Sequence, residues 1–256
     1  MSIVWADAER DVVFAQGADA AAFLHSQLAQ DISSMAVGQS LHSFLLEPTG
    51  HITTLLRVVR HGDTVFTLDT DAGHGAAIIQ RLQRFILRAD VKLSHSDWRV
   101  RAFRGDNAVE AVGAVPGVAV HGWGSADAID VIGEFSTLPL VGEETEPGHI
   151  DVLRVESRWP RVGVDILVGD IPATAGVTSV AVSFTKGCYP GQELVERMDS
   201  RGANAPVVLR VIPRDGVGVG MRVEQEGKFL GTVTSVGQTV AFARLDRTST
   251  VGEPLH

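Results

Sequence analysis

Apolar positions recur at two different spacings along this chain, and the spacing switches where turn residues cluster. In residues 17–30, GADAAAFLHSQLAQ, Ala20, Phe23, Leu24 and Leu28 share one helical face, with Asp19 as the expected N-cap. Residues 41–68 read as three strands, broken at EPTG and HGD. Residues 75–88 return to helical spacing, with Ile78, Ile79, Leu82, Phe85 and Ile86 expected inward. A short strand, DVKLSH, follows. Residues 98–135 repeat this grammar more weakly, as strand, helix and two strands. Residues 136–148 carry acids, proline and glycine and read as a connection. Residues 149–159 resume as a helix that Pro160 ends. Beyond Gly202 the pattern becomes short strands at regular spacing, each ended by Gly, Pro or Asp, which signals a small barrel or sandwich. The expected class is therefore α+β. The expected division is an α+β region over 1–202, with subdomains of about 1–95 and 96–202, and a β-barrel over 203–256.

Length and charge narrow the class of protein. At 256 residues the chain fits two or three subdomains. Its formal net charge of −9 argues against a broad nucleic-acid-binding face. No stretch approaches the roughly 18 consecutive apolar residues of a membrane span. The opening MSIVWADAERDVVF has acids early and no uninterrupted apolar core, unlike a signal peptide. A soluble, cytoplasmic protein is expected.

Candidate chemistry centres on TKGCYPGQELVERM, residues 185–198, which holds Cys188, the single cysteine of the sequence. One cysteine forbids an intramolecular disulfide and an all-cysteine metal site. Pro190 suits a first helical turn, Leu194, Val195 and Met198 make an apolar face, and Gly202 is a natural stop. Cys188 would then precede a helix N-terminus with the Lys186 ammonium close in sequence, and both favour a thiolate. A small buried apolar cysteine is the alternative, and local sequence leaves both open. A second cluster is DVLRVESRWPRVGVD, where Asp151, Arg154, Glu156, Arg158, Arg161 and Asp165 lie close in sequence. A solvated helix face explains most such clusters, although Trp159 and two arginines could wall a flat or anionic ligand. None of the nine histidines has metal-ligand spacing with an acid.

The motif Lys186, Gly187, Cys188, Tyr189, Gly191, Gln192 and Glu193 resembles the signature of the YgfZ-type folate-binding proteins, relatives of the glycine-cleavage T protein, an aminomethyltransferase. The opening helix segment, LRVESRWPRVGVDI and the C-terminal GKFLGTVTSVG are similar to the same group. The resemblance implies two interlocked ferredoxin-like subdomains and a small barrel around a central channel for a tetrahydrofolate. It implies an accessory role in assembly or repair of iron–sulphur clusters in client enzymes, some of them tRNA-modifying. Cys188 and Lys186 would be the reactive pair. Glu156 would read the pterin, with Arg154, Tyr189, Gln192, Glu193 and Arg197 as further folate contacts. Membrane contact and direct nucleic-acid contact are not expected. The T protein's folate-side acids fall on Thr54 and Leu55, which can neither carry charge nor titrate near neutrality. Ordinary aminomethyl transfer is thus not expected. As the alternative, an active folate-dependent aminomethyl- or one-carbon transferase would need another carboxylate, with Asp69 and Asp71 as candidates. Ser157-Arg158 replaces the usual small or glycine-containing pair after the family glutamate.

Overall fold

The computed structural model describes residues 2–113, 118–122, 127–201 and 205–255. The chain opens with β1 (Val4–Ala8), β2 (Arg10–Gln16), α1 (Ala20–Gln27), β3 (Ser40–Leu46), β4 (Ile52–Arg60) and β5 (Val65–Asp71). Then come α2 (Gly75–Gln83), β6 (Lys92–Ser96), β7 (Arg99–Arg104), α3 (Ala108–Gly113), β8 (Val118–His121) and β9 (Ala128–Gly133). Next are β10 (Glu143–Glu144), α4 (Pro147–Glu156), the single-turn helices α5 (Pro172–Ala175) and α6 (Thr178–Ala181), and α7 (Gln192–Arg201). The last strands are β11 (Val207–Pro213), β12 (Arg222–Gln225), β13 (Lys228–Val236), β14 (Val240–Asp246) and β15 (Glu253–Pro254).

Three five-stranded sheets result. The first has the order β3-β4-β5-β2-β6 and the second β10-β1-β7-β9-β8. The first strand thus leaves its sequence neighbour β2 and pairs antiparallel with β7, Trp5 opposite Phe103, while β10 adds to it in parallel. The boundary expected near residue 95 therefore does not separate the sheets. The connection expected over 136–148 contributes a strand. In the third sheet, β12-β13-β14-β11-β15, no closed barrel forms among the described residues. Its outer strands are short, and bulges interrupt the pairing between Val223 and Glu224 and between Val233 and Ser235. Short bulged edges bend a sheet without closing it. The expected stop at Gly202 and the boundary near 203 lie outside the described residues.

Alternation along the strands decides what packs where. One face of the first sheet buries Val13, Leu56, Val58, Phe66 and Leu68 against α1 and α2. Helix α2 stops at Gln83, sooner than its apolar spacing predicts, and Phe85 is left partly exposed over the Arg81 guanidinium, 4.4 Å from the ring centroid. The second sheet buries Trp5, Phe103 and Ile129 on the face that takes α3. The opposite faces of the two sheets meet through Val12, Val59, Val100, Val120 and Ile132.

Charges also lie in this interface. Arg57 donates to Asp69 across its own sheet at 2.8 and 3.1 Å and to Asp130 of the second sheet at 2.7 Å. Arg104 joins Asp130 at 2.9 Å, and Arg10 bonds Asp69 and Asp71. Burial alone would raise the Asp130 carboxyl, but Arg104 and Arg57 outweigh it and hold it at about 2. Removing one partner of a buried pair costs about 3–5 kcal/mol. Asp130→Ala should therefore destabilise the protein by about that much in urea titration, because Arg57 and Arg104 share this carboxylate. Asp63→Ala, which removes an exposed partner of Arg60, should cost under about 1 kcal/mol.

Candidate functional site

A cavity of about 510 Å³ opens where the β1–β2 connection, the β5–α2 turn, helix α4 and the loop 161–164 converge. That is within the roughly 300–1,000 Å³ of small-molecule sites. Its wall is strongly ionic: Asp7, Glu9, Arg10, Asp71, Asp151, Arg154 and Arg161 all contribute, beside His74. The buried network of the two sheets runs out into this wall. Asp71 accepts from Arg10 at 3.0 Å and from the Val162 N–H at 2.8 Å, which anchors the loop.

Helix α4 supplies two faces. Asp151 and Arg154, three residues apart, lie together and bond at 2.8 Å. Arg154 is buried and also reaches Asp165 at 2.9 Å, Ser235 at 3.0 Å and the Trp159 carbonyl at 2.5 Å. Asp165 is fully buried and takes four donors: Arg154, the Arg161 N–H, Thr234 and Ser235. The solvated face expected for this cluster is thus corrected, since its centre is a buried joint to the third sheet. Glu156 faces away from the cavity. Its carboxylate accepts from the Thr239 N–H at 2.7 Å, the Thr239 hydroxyl at 2.5 Å and the Val240 N–H at 3.4 Å. Burial opposes ionisation there, but these donors prevail and hold Glu156 below the usual glutamate range.

The helix ends in a left-handed turn. Trp159 N–H reaches back to the Arg154 carbonyl and Arg158 N–H to that of Val155, with Arg158 at φ 57°. That is a Schellman ending, in which glycine usually takes the left-handed position. Here an arginine accepts the strain and pairs with Glu253 of β15. Arg158 thereby links the end of α4 to β15.

The Cys188 segment is separate from the cavity's lining. Cys188 is free and exposed. The Lys186 ammonium donates to the carbonyls of His25, Leu28 (2.6 Å) and Gln30 (3.2 Å), so it caps the end of α1. Burial brings it down to about 8. Lys186 thereby anchors its loop to the end of α1. Tyr189 is buried in the core with Leu55 and Trp159, and burial raises its hydroxyl to about 12. Gln192 accepts from the Tyr189 N–H at 3.1 Å, closing the entry to α7. Glu193 and Arg197 are exposed on α7. Of the residues expected to contact folate, only Arg154 lines the cavity.

The two glycine positions have a physical reason. Gly191 has φ 89°, and a Cβ there would lie 2.7 Å from the Glu47 carbonyl oxygen and 2.9 Å from Gly50 Cα. Gly50, at φ 87°, is equally constrained by Leu194 of α7. The β3–β4 turn and the cysteine loop therefore pack backbone against backbone. Thr54 is fully buried, bonded to the Thr70 hydroxyl at 2.7 Å and to the Leu55 carbonyl.

Sequence reading missed Arg10, His74 and the joint function of Arg57, Asp69 and Asp130. For Arg57 and Asp130 the signal is a single charge at an inward position of an otherwise apolar strand, as in LLRVV and AIDVI. Among the described residues, no group of three or more His, Cys, Asp or Glu could hold a metal ion. None of the described helices is long and apolar enough to cross a membrane.

Comparison with known proteins agrees with this geometry. The fold is that of the glycine-cleavage T proteins. The crystal structure of aminomethyltransferase T from Bartonella henselae superposes with a TM-score of 0.77 at 19% identity, covering 96% of this chain and 78% of that one. Within that fold the sequence resembles the YgfZ-type proteins. The tRNA-modifying protein YgfZ of Vibrio vulnificus is 24% identical over 216 residues, 76% of this chain and 65% of that protein. That of Escherichia coli O139:H28 is 22% identical over 248 residues, 85% and 76% respectively. An uncharacterised protein of Haemophilus influenzae is 24% identical over 228 residues, 86% of this chain and 79% of that protein. No family model matches the chain.

His42 offers a pH test of the packing beside Arg57. Its ring packs at a tilt on Trp159 with ring centroids 4.3 Å apart. Burial, then the nearby Arg57, lowers its imidazole to about 3. In the unfolded chain it titrates near 6.5, so the unfolded state binds the extra proton between about pH 6.5 and 3. Stability from this group is complete above pH 6.5 and is lost as pH falls towards 3. His42→Leu should flatten the acid limb of a stability–pH curve by up to about 1.4 kcal/mol per pH unit in that window.

Proposed function

We propose that this protein is a tetrahydrofolate-binding accessory protein that supports assembly or repair of iron–sulphur clusters in client enzymes, tRNA-modifying ones among them. The ionic cavity at the junction of the two sheets and α4 carries this reading, since it is of ligand size and lies in a T-protein fold. The strand order β4-β5-β2-β6 and the crossing of β1 into the second sheet are in keeping with two interlocked ferredoxin-like halves. The residues suit the ligand: Arg161 is half-exposed at the wall for an anionic tail, and carboxylates face the cavity for a donor-rich ring. A bound tetrahydrofolate supplies one-carbon carriage. This chain's residues bind and orient it.

Aminomethyl transfer is the second reading, and the side chains disfavour it. Thr54 and Leu55, on which the resemblance places the T protein's acids, are buried and uncharged. Asp69 is enclosed by Arg57 and Arg10, which hold it ionised against burial and leave it no access to a substrate. Asp71 reaches the cavity with both oxygens engaged.

Cys188 is the reactive group of the proposal. One thiol cannot hold a cluster, which takes about four cysteine ligands, so it acts with a partner. Its exposure permits that encounter. Cys188→Ala should leave tetrahydrofolate binding unchanged in calorimetry and lower the activity of a cluster-dependent enzyme under oxidative stress. Full client activity in the variant removes the thiol from the function, and absence of folate binding by the wild type removes the ligand.

A further inference from the structure

We infer that Asp151, not the family-position Glu156, is the carboxylate that reads the amino edge of the bound pterin; this rests on the folate reading above. Four acids line the cavity, and hydrogen-bond accounting separates them. Both oxygens of Asp7 are held by the Arg101 fork, at 2.6 and 3.1 Å. Both oxygens of Asp71 are engaged, by Arg10 and the Val162 N–H. Glu9 is exposed and has nothing among the described residues to orient it, so ordering it on a ligand would cost side-chain entropy. Asp151 differs from all three. Its Oδ1 takes Arg154 at 2.8 Å and Arg161 at 3.1 Å, while its Oδ2 accepts no hydrogen bond among the described residues. One oxygen is clamped and the other is bare, which is a preorganised acceptor.

Helix geometry separates the two carboxylates. Residues five apart on an α-helix point about 140° away from each other, at 3.6 residues per turn. Helix α4 is wedged between the second sheet and the third, with Ile150 packed on Ala6 and Ala102 and Val155 packed on Leu209 and Phe242. The face that carries Asp151 and Arg154 meets the cavity, and Glu156 meets the β13–β14 turn. A pterin's exocyclic amino group is an N–H donor from which the single bare Oδ2 can accept.

Calorimetric titration of the full chain with tetrahydrofolate tests this. Asp151→Asn should weaken binding about 10- to 100-fold, the worth of hydrogen bonds to a charged acceptor. Glu156→Gln should bind within about twofold of wild type. A 2-desamino-tetrahydrofolate should bind the wild type about as weakly as Asp151→Asn binds the parent ligand, and should lose nothing further in that variant. Equal binding by Asp151→Asn and wild type, or loss confined to Glu156→Gln, overturns the inference and leaves the folate reading standing. Absence of binding by the wild type overturns both. If thermal melts show Asp151→Asn to be unfolded, the analogue decides. Wild type and Glu156→Gln discriminating equally against it supports Asp151, and no discrimination by wild type, or its loss in Glu156→Gln, refutes it.

Discussion

Arg57 and the two aspartates it joins set the terms for the rest of this molecule. Two sheets could pack through valine and isoleucine alone, and such contacts tolerate sliding. A guanidinium held at once by Asp69 in one sheet and Asp130 in the other does not. Buried pairs of this kind contribute little net stability but penalise every arrangement that separates them. The register between the halves is therefore fixed by geometry that water cannot replace. A second joint, Asp165 with its four donors, does the same between α4 and the third sheet.

Between these two joints the cavity inherits its character. Its wall is not a set of free charges awaiting a ligand. Most of the arginines and aspartates there are already spent on holding sheets, loops and helix together. What remains uncommitted there is small: an oxygen of Asp151, the exposed Glu9 carboxylate, an imidazole, and the exposed side of Arg161. The cysteine loop is attached differently, by the Lys186 ammonium at the end of α1 and by the glycine contact with the β3–β4 turn. The thiol is thereby displayed at the surface, apart from the cavity.

Much of the fold was legible in the chain because period-2 and helical spacing report which face of an element is buried. The strands of 41–68, the helix after Pro190 and the short strands past 205 follow that pattern. Partnership was not legible. Nothing in VWADA says that it pairs with RVRAFR, because hydrogen-bond partners across a hundred residues leave no local trace. Closure of the third sheet also depends on edge lengths and bulges that spacing does not encode. At the site, the motif around Cys188 was readable, but the roles of its members were not. Lys186 sits two residues from the thiol in sequence, yet its partners are carbonyls some 160 residues earlier. Glu156 and Asp151 share a helix and both carry a carboxylate. Only the direction of α4 relative to its neighbours tells which one faces the cavity.

The passage of β1 into the second sheet has a consequence for synthesis. Val4–Ala8 leaves the ribosome long before Arg99–Arg104, its antiparallel partner, and longer still before Glu143. Strands β2 to β6 are complete by Ser96, with α1 and α2 to cover one face. Domains tend to fold as they emerge, and unpaired edges are exposed to wrong partners meanwhile. The nascent chain thus carries a finished sheet with a dangling leading strand, and the half-molecule cannot close until its middle has been made.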